Sequence, residues 1–177
     1  MRWWDIAPVL ALELELFPED AWSAGMFWSE LAEARPGGTR HYTVAEAPDG
    51  TIVGYAGLMA VADEGDVQTI AVAGRHQGAG LGAALLADLV REAARRGCAD
   101  LLLEVRVDNT RAQRLYERSG FEPVGIRRGY YQPANVDALV MRLDLAAVAV
   151  DGAAGPEDLD EPADHPRPDV KKDTPHG

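Results

Sequence analysis

Apolar residues recur at helical spacing in four stretches and at strand spacing in six. From Asp5 to Leu16, residues Ile6, Val9, Leu10, Leu12, Leu14 and Leu16 follow a largely helical pattern, with Asp5 as the expected N-cap and Pro8 in the first turn. Phe17-Pro18-Glu19-Asp20 breaks it, and Ser23 is placed to cap a second helix whose expected apolar stripe is Met26, Phe27, Leu31 and Ala34. Pro36-Gly37-Gly38 ends that helix. His41–Ala47 and Thr51–Ala60 read as strands joined by the turn Pro48-Asp49-Gly50, and Asp66–Val72 reads as a third strand. Leu81–Arg96 is a helix with the stripe Leu81, Leu85, Leu86, Leu89, Val90 and Ala93, stopped by Gly97. Asp100–Val107 is a short apolar strand of the buried type, and Asn109–Ser119 is a helix ended by Gly120. Phe121–Arg128 and Ala138–Leu145 form an expected antiparallel pair. The order α-α-β-β-β-α-β-α-β-β predicts a mixed α/β domain around one central sheet.

Composition changes the picture at the C-terminal end. The chain has 177 residues, enough for one domain, which we place at 1–145. Residues 146–177 hold five of the eleven prolines, many acids and almost no large apolar residue after Val150, so this acidic tail is expected to be disordered. The net charge of −12 divides into −7 for residues 1–145 and −5 for the tail. That balance disfavours nucleic-acid binding, which needs a basic surface. It suits either plain solubility or attraction of a cationic substrate. No apolar run reaches the roughly 20 residues of a membrane span, and the N-terminus has no signal-peptide pattern, so the expected setting is the cytoplasm without membrane attachment. The single cysteine, Cys98, allows no intramolecular disulfide and reads as structural. The four histidines are scattered without metal-ligand spacing, and no metal is expected.

The candidate chemistry starts at Thr69-Ile70-Ala71-Val72, which runs into the loop Ala73–Gly82 and then the strong helix. A strand, a glycine loop and a helix N-terminus together can grip an anion, because free N–H groups and the helix dipole both favour negative charge there. A Walker loop would need a lysine that is missing, and a dinucleotide fingerprint would need a different glycine spacing. The pattern [QR]xxGx[GA] is matched by Gln77-Gly78-Ala79-Gly80-Leu81-Gly82. A glycine-rich turn holding no ligand stays open at this point. Further along, Glu104 stands mid-strand between Leu103 and Val105, an expensive place for a carboxylate without a role or a partner such as Arg106. Asn109 opens the next helix and Tyr116 lies within it.

The loop at Gln77–Gly82, the spacing from Asn109 to Tyr116, and Leu115-Tyr116-Glu117-Arg118-Ser119-Gly120-Phe121 together resemble the GNAT superfamily of acetyl-CoA-dependent N-acetyltransferases. The likeness covers roughly Asp5 to Leu145. Ile70-Ala71-Val72, Leu103-Glu104-Val105-Arg106, Arg127-Arg128-Gly129-Tyr130-Tyr131 and the early Phe17-Pro18…Trp22-Ser23 narrow it to the bacterial ribosomal-protein alanine N-acetyltransferase (RimI) family. The chain departs from the family in having only Met1–Trp4 before the first helix, where a full strand is usual. It also has Gly78 and Ala79 where an arginine or glutamine is frequent.

The resemblance implies a GNAT fold, with a mostly antiparallel sheet flanked by helices, and acetyl-CoA as co-substrate without a metal. It implies that Gln77, Gly78, Ala79, Gly80, Leu81, Gly82 and Ala83 hold the pyrophosphate. Ile70, Ala71 and Val72 would pair with the pantetheine, Asn109 would bond to that arm, and the Val72 N–H would face the reacting carbonyl. It makes Glu104 the general base and Tyr116 the general acid and a cofactor contact. Trp22, Tyr130 and Tyr131 are expected to line the acceptor groove. The implied acceptor is a protein N-terminus, that of a small-subunit ribosomal protein beginning with alanine. Two rivals remain: a GNAT enzyme for small amines such as polyamines or aminoglycosides, and a non-catalytic acyl-CoA-binding module. The oligomeric state is left open, with a monomer as one reading.

Overall fold

The computed structural model describes residues 1–147, so the expected disordered tail lies outside the described residues except for Ala146 and Ala147. Four α-helices and six strands follow in the order read from the sequence: α1 (Ile6–Leu16), α2 (Ala24–Glu33), β1 (Arg40–Glu46), β2 (Ile52–Val61), β3 (Glu64–Val72), α3 (Leu81–Arg95), β4 (Asp100–Arg106), α4 (Thr110–Arg118), β5 (Glu122–Tyr131) and β6 (Val136–Asp144). The strands form one sheet in the order β1-β2-β3-β4-β6-β5. All neighbours are antiparallel except β3 and β4, whose connection runs through α3. A parallel pair needs such a crossover, because its second strand must start again at the same end of the sheet.

Two cores sandwich the sheet. On one face, Leu85, Leu86, Leu89 and Ala93 of α3 pack with Leu101, Leu103 and Val105 of β4 and with Tyr116, Phe121 and Met141, and Cys98 is buried among them. On the other face, Ile6, Val9 and Leu12 of α1 and Phe27 of α2 pack on Val53, Tyr55 and Ala71. The i, i+4 stripe of α3 is therefore buried as its spacing requires.

The α2 stripe is corrected. Phe27 is fully buried and Leu31 half-buried, but Met26 is 46% exposed, and Ala34 is the C-cap outside the helix. Met26 and Phe27 are about 100° apart around the axis, so a helix touching the sheet along a narrow stripe buries only one of them. The N-terminus is also clarified. Trp3–Asp5 is a 3-10 turn, and the Asp5 carboxylate accepts from the Arg2 N–H at 2.6 Å instead of capping α1. Ser23 does cap α2 as expected, accepting from the Met26 N–H.

One buried carboxylate ties the second core together. Glu13 on α1 is 3% exposed, and it accepts hydrogen bonds from the Trp22 N–H at 3.0 Å and from the Tyr55 hydroxyl. Helix α1, strand β2 and the α1–α2 loop are thus fastened at one point. Tyr55→Phe removes a donor and leaves a buried carboxylate oxygen unbonded, so it should cost about 1–3 kcal/mol. A lower urea midpoint with an unchanged m-value is the expected result.

Candidate active site

The site begins where the sheet splits. Strands β3 and β4 pair only at Glu64–Asp100, Gly65–Leu101 and Asp66–Leu102. Beyond Asp66 they separate, while β4 stays paired with β6 all the way from Asp100 to Arg106. The Ala73 N–H bonds to the Val53 carbonyl of β2 at 2.9 Å. Main-chain groups alternate between the two edges of a strand, so the N–H groups of Ile70 and Val72 point the other way, into the fork. A row of main-chain donors and acceptors is thereby left for an extended ligand.

The glycine loop closes one end of this fork. Gly78 and Gly80 have φ values of +87° and +85°, a region that residues with a side chain enter at a cost. Gly80 is the N-cap of α3, and the first intrahelical bond of that turn runs from Ala84 N–H to Gly80 C=O. The N–H groups of Leu81, Gly82 and Ala83 are the helix's free donors. Gln77 steadies the loop, donating from Nε2 to the Val72 carbonyl at 2.9 Å and accepting from Arg111 Nη1 at 2.7 Å.

A cavity of about 490 Å³ joins these parts. Ten of the expected cofactor residues line it: Ile70, Ala71, Val72, Gln77, Gly78, Gly80, Gly82, Ala83, Asn109 and Tyr116. Ala79 and Leu81 belong to the same loop but do not line the cavity. Asn109 is the N-cap of α4, and its Oδ1 accepts from the Ala112 N–H at 3.1 Å, which leaves its amide NH₂ for a ligand. Sequence reasoning missed Arg111, Arg118 and Leu16, which also line the space, and Phe17 of the early segment that carried part of the resemblance lines it too. Arg111 could have been found, since it is a cation in the first turn of the helix that follows the Asn109 cap.

The expected catalytic residues lie at the other end of the fork. Glu104 is half-way along β4 between the buried Leu103 and Val105, with its side chain 15% exposed. Its carboxylate pairs with Arg127 Nη1 of β5 at 2.8 Å, not with Arg106, whose guanidinium binds Asp108 at 3.0 Å. Tyr131 donates from its hydroxyl to the Glu104 carbonyl at 3.3 Å, and its ring meets that of Tyr130 edge-on at 5.1 Å. Tyr116 is 5% exposed and stacks at a tilt on Phe121 at 5.9 Å. Burial first, then the nearby Tyr131, pushes the Tyr116 hydroxyl far above its ordinary value, so it keeps its proton at any physiological pH. Tyr131 thus stands between Tyr116, at the cavity, and Glu104.

No aromatic contact joins Trp22 to these tyrosines among the described residues. Its ring packs on Phe27 at 5.5 Å, and its main chain is held by Glu13. The charges of Glu19 and Asp20 in the same loop do act on Arg106, and that of Asp20 on Tyr131, so the loop faces this end of the sheet. Among the described residues no group of three or more His, Cys, Asp or Glu could hold a metal, and no helix is long and apolar enough to cross a membrane.

A split sheet with a glycine loop over one arm can seat an extended anionic ligand, and comparison with known proteins supplies the class. Residues 6–121 match the acetyltransferase (GNAT) family, and the chain belongs to that family and is an acetyltransferase. It is 38% identical over 141 residues to a putative [ribosomal protein bS18]-alanine N-acetyltransferase of Bacillus subtilis, covering 80% of this chain and 90% of that protein. It is 41% identical over 138 residues to the N-alpha-acetyltransferase RimI of Mycobacterium tuberculosis, covering 75% and 82%. The crystal structure of the ribosomal-protein-S18-alanine N-acetyltransferase from Escherichia coli superposes with a TM-score of 0.71 at 33% identity, covering 82% and 90%.

Proposed function

We propose that this protein transfers the acetyl group of acetyl-CoA to the N-terminal α-amine of a protein, the alanine of ribosomal protein bS18 in the first instance, in the cytoplasm. The observation that carries the proposal is the fork. A cavity runs from a loop suited to an anion, past main-chain groups on β3, to Asn109 and Tyr116, and Glu104 stands on β4, the other arm of the fork. The relatives named for bS18 point to the acceptor.

The free N–H groups of α3 and the Arg111 guanidinium suit a pyrophosphate, for which a helix N-terminus and a nearby cation are a fitting seat. Ile70 and Val72 offer main-chain partners to an amide-bearing arm, and the Asn109 NH₂ adds another. The Val72 N–H is the donor aimed at the oxygen that gains charge during attack. An α-amine with an ordinary pKa near 8 is mostly charged at pH 7. Glu104 takes up its proton, directly or through one water, and the neutral amine attacks the thioester carbonyl. Tyr116, always protonated, donates to the departing sulfur.

The test is acetylation of a hexapeptide carrying the bS18 N-terminus, read by mass spectrometry. A gain on the α-amine is expected, and a peptide left unmodified would sink the acceptor assignment. A panel of polyamines and aminoglycosides serves as the competing arm, because residues 1–145 carry a charge of −7 that would also attract small cations. A higher kcat/KM for those amines than for the peptide would move the protein to the small-amine reading. Tyr116→Phe removes the hydroxyl but keeps the packing on Phe121. It should lower kcat by about 10-fold or more while the KM for acetyl-CoA stays nearly constant.

A further inference from the structure

Arg127 reaches Glu104 across a strand. It stands on the edge strand β5 and Glu104 on β4, with β6 between them. On β6, Ala138 pairs with both Arg127 and Arg106, and Val140 pairs with Glu104, so these side chains share one face. The arginine side chain spans two strand spacings, each about 4.8 Å, and places Nη1 at 2.8 Å from Glu104 Oε1. Only the small Ala138 stands opposite it on β6, which leaves room for the crossing.

The surroundings of this pair suit a cation. Strand β5 shifts register between Arg127 and Tyr131, and the irregularity lets the consecutive Tyr130 and Tyr131 rings meet edge-on at 5.1 Å, whereas neighbours on a regular strand point to opposite faces. Each ring faces an arginine: Arg127 Cζ lies 5.7 Å from the Tyr130 centroid, and Arg106 Cζ lies 5.4 Å from that of Tyr131. Ring faces attract positive charge, as the carboxylate does. Asp66 of β3 shares the sheet face with Glu104, and the Arg127 charge acts on it as well. Arg106 is committed to Asp108, while the one carboxylate that Arg127 pairs with among the described residues is Glu104.

Exposure makes this pair exchangeable. The Glu104 side chain is 15% exposed and that of Arg127 58%. An ion pair with one partner largely in water is weak. A mostly buried carboxylate with no partner at all is costly. Arg127 therefore satisfies Glu104 in the free protein, yet another cation can take its place at little cost.

We propose that Glu104 and the Tyr130 ring form the subsite for the acceptor's ammonium group, and that Arg127 is the built-in occupant of this subsite, displaced when the acceptor enters. The inference rests on the reading of Glu104 as the group that meets the acceptor amine. That amine is mostly an ammonium at pH 7, so it arrives as a cation directed to the same carboxylate. Two cations crowded onto one carboxylate with so little exposure repel each other, so one replaces the other. No covalent bond forms or breaks in the exchange. Arg127 keeps Glu104 paired until then and sets the threshold that an acceptor must exceed to bind.

Arg127→Ala should lower the KM for the alanine-initiated peptide about 3–10-fold, while kcat and the KM for acetyl-CoA change far less. Guanidinium ion at millimolar concentration should then compete with the peptide in Arg127→Ala and return its KM toward the wild-type value, with little effect on the wild type. Sodium chloride at equal ionic strength is the control. A peptide KM that rises or stays constant in Arg127→Ala overturns the proposal, and so does guanidinium that inhibits both proteins alike. Occupancy is also read without substrate. Guanidinium should shift the Tyr130 ring signals in NMR spectra of Arg127→Ala and leave them unmoved when Glu104→Gln is added. Equal shifts in the two variants, or none in either, overturn the subsite. A wild type that acetylates no peptide overturns the acceptor reading alone, because this titration uses no acceptor. Glu104→Gln with full activity overturns the base assignment, and the titration then judges the subsite by itself.

Discussion

Glu104→Gln should lower kcat by about 10²–10⁴-fold while the KM for acetyl-CoA changes little. The amide is nearly isosteric and can still accept a hydrogen bond from Arg127, so strand β4 should keep its place between Leu103 and Val105. What the amide lacks is the capacity to take a proton. The acceptor amine must then lose its proton to bulk water before binding, and only the neutral fraction reacts. Raising the pH should therefore recover part of the lost rate, as more amine becomes neutral near its ordinary pKa of about 8. Wild-type rates in the variant across pH 6–9 would remove Glu104 from the mechanism. A loss with no recovery at high pH would point to misplacement of the acceptor instead. Full pH profiles of kcat and kcat/KM distinguish these results.

Gly80→Val should raise the KM for acetyl-CoA roughly 10–100-fold with kcat at saturation largely kept. Gly80 sits at φ +85° as the N-cap of α3, and a Cβ there would meet no atom within 4 Å. The penalty is thus conformational and not a clash. A side chain in the left-handed region costs about 1–2 kcal/mol, more for a β-branched one. The chain relieves that cost by turning the peptide away, which moves the free N–H groups of Leu81–Ala83 off the pyrophosphate. Losing one hydrogen bond to a charged group is worth about 1.5–3 kcal/mol, which sets the expected range. Gly74→Ala is the control, since Gly74 also has open space around it but no positive φ. Equal KM values in all three proteins, measured by initial rates at saturating acceptor, would refute the cradle.

Much of this architecture was legible along the chain. The α3 stripe from Leu81 to Ala93, the Ser23 cap and the β1–β2 hairpin at Pro48-Asp49-Gly50 follow from local spacing and turn chemistry, which operate over a few residues. The glycine loop was legible for the same reason, since two positive-φ positions ahead of a helix leave a local mark. Less legible was everything that depends on which side of an element meets a neighbour. Met26 and Phe27 are equally apolar, yet only docking on β2 decided that Phe27 is buried. Trp22 read as a groove residue, but Glu13, nine residues earlier, holds its main chain while Phe27 receives its ring.

The candidate site shows the same division more sharply. Sequence alone determined the helices and strands, their order, a loop suited to an anion, and the resemblance that singled out Glu104, Asn109 and Tyr116. Tertiary structure decided that β3 and β4 part after Asp66, that Arg127 and not Arg106 pairs with Glu104, and that Arg111 reaches the loop through Gln77. It also put Asp66 and Glu104 on one face of the sheet, 38 positions apart in the chain. The reason is physical. Periodicity, caps and turns are properties of neighbouring residues, whereas ion pairs and forks between strands arise only when distant strands are laid side by side.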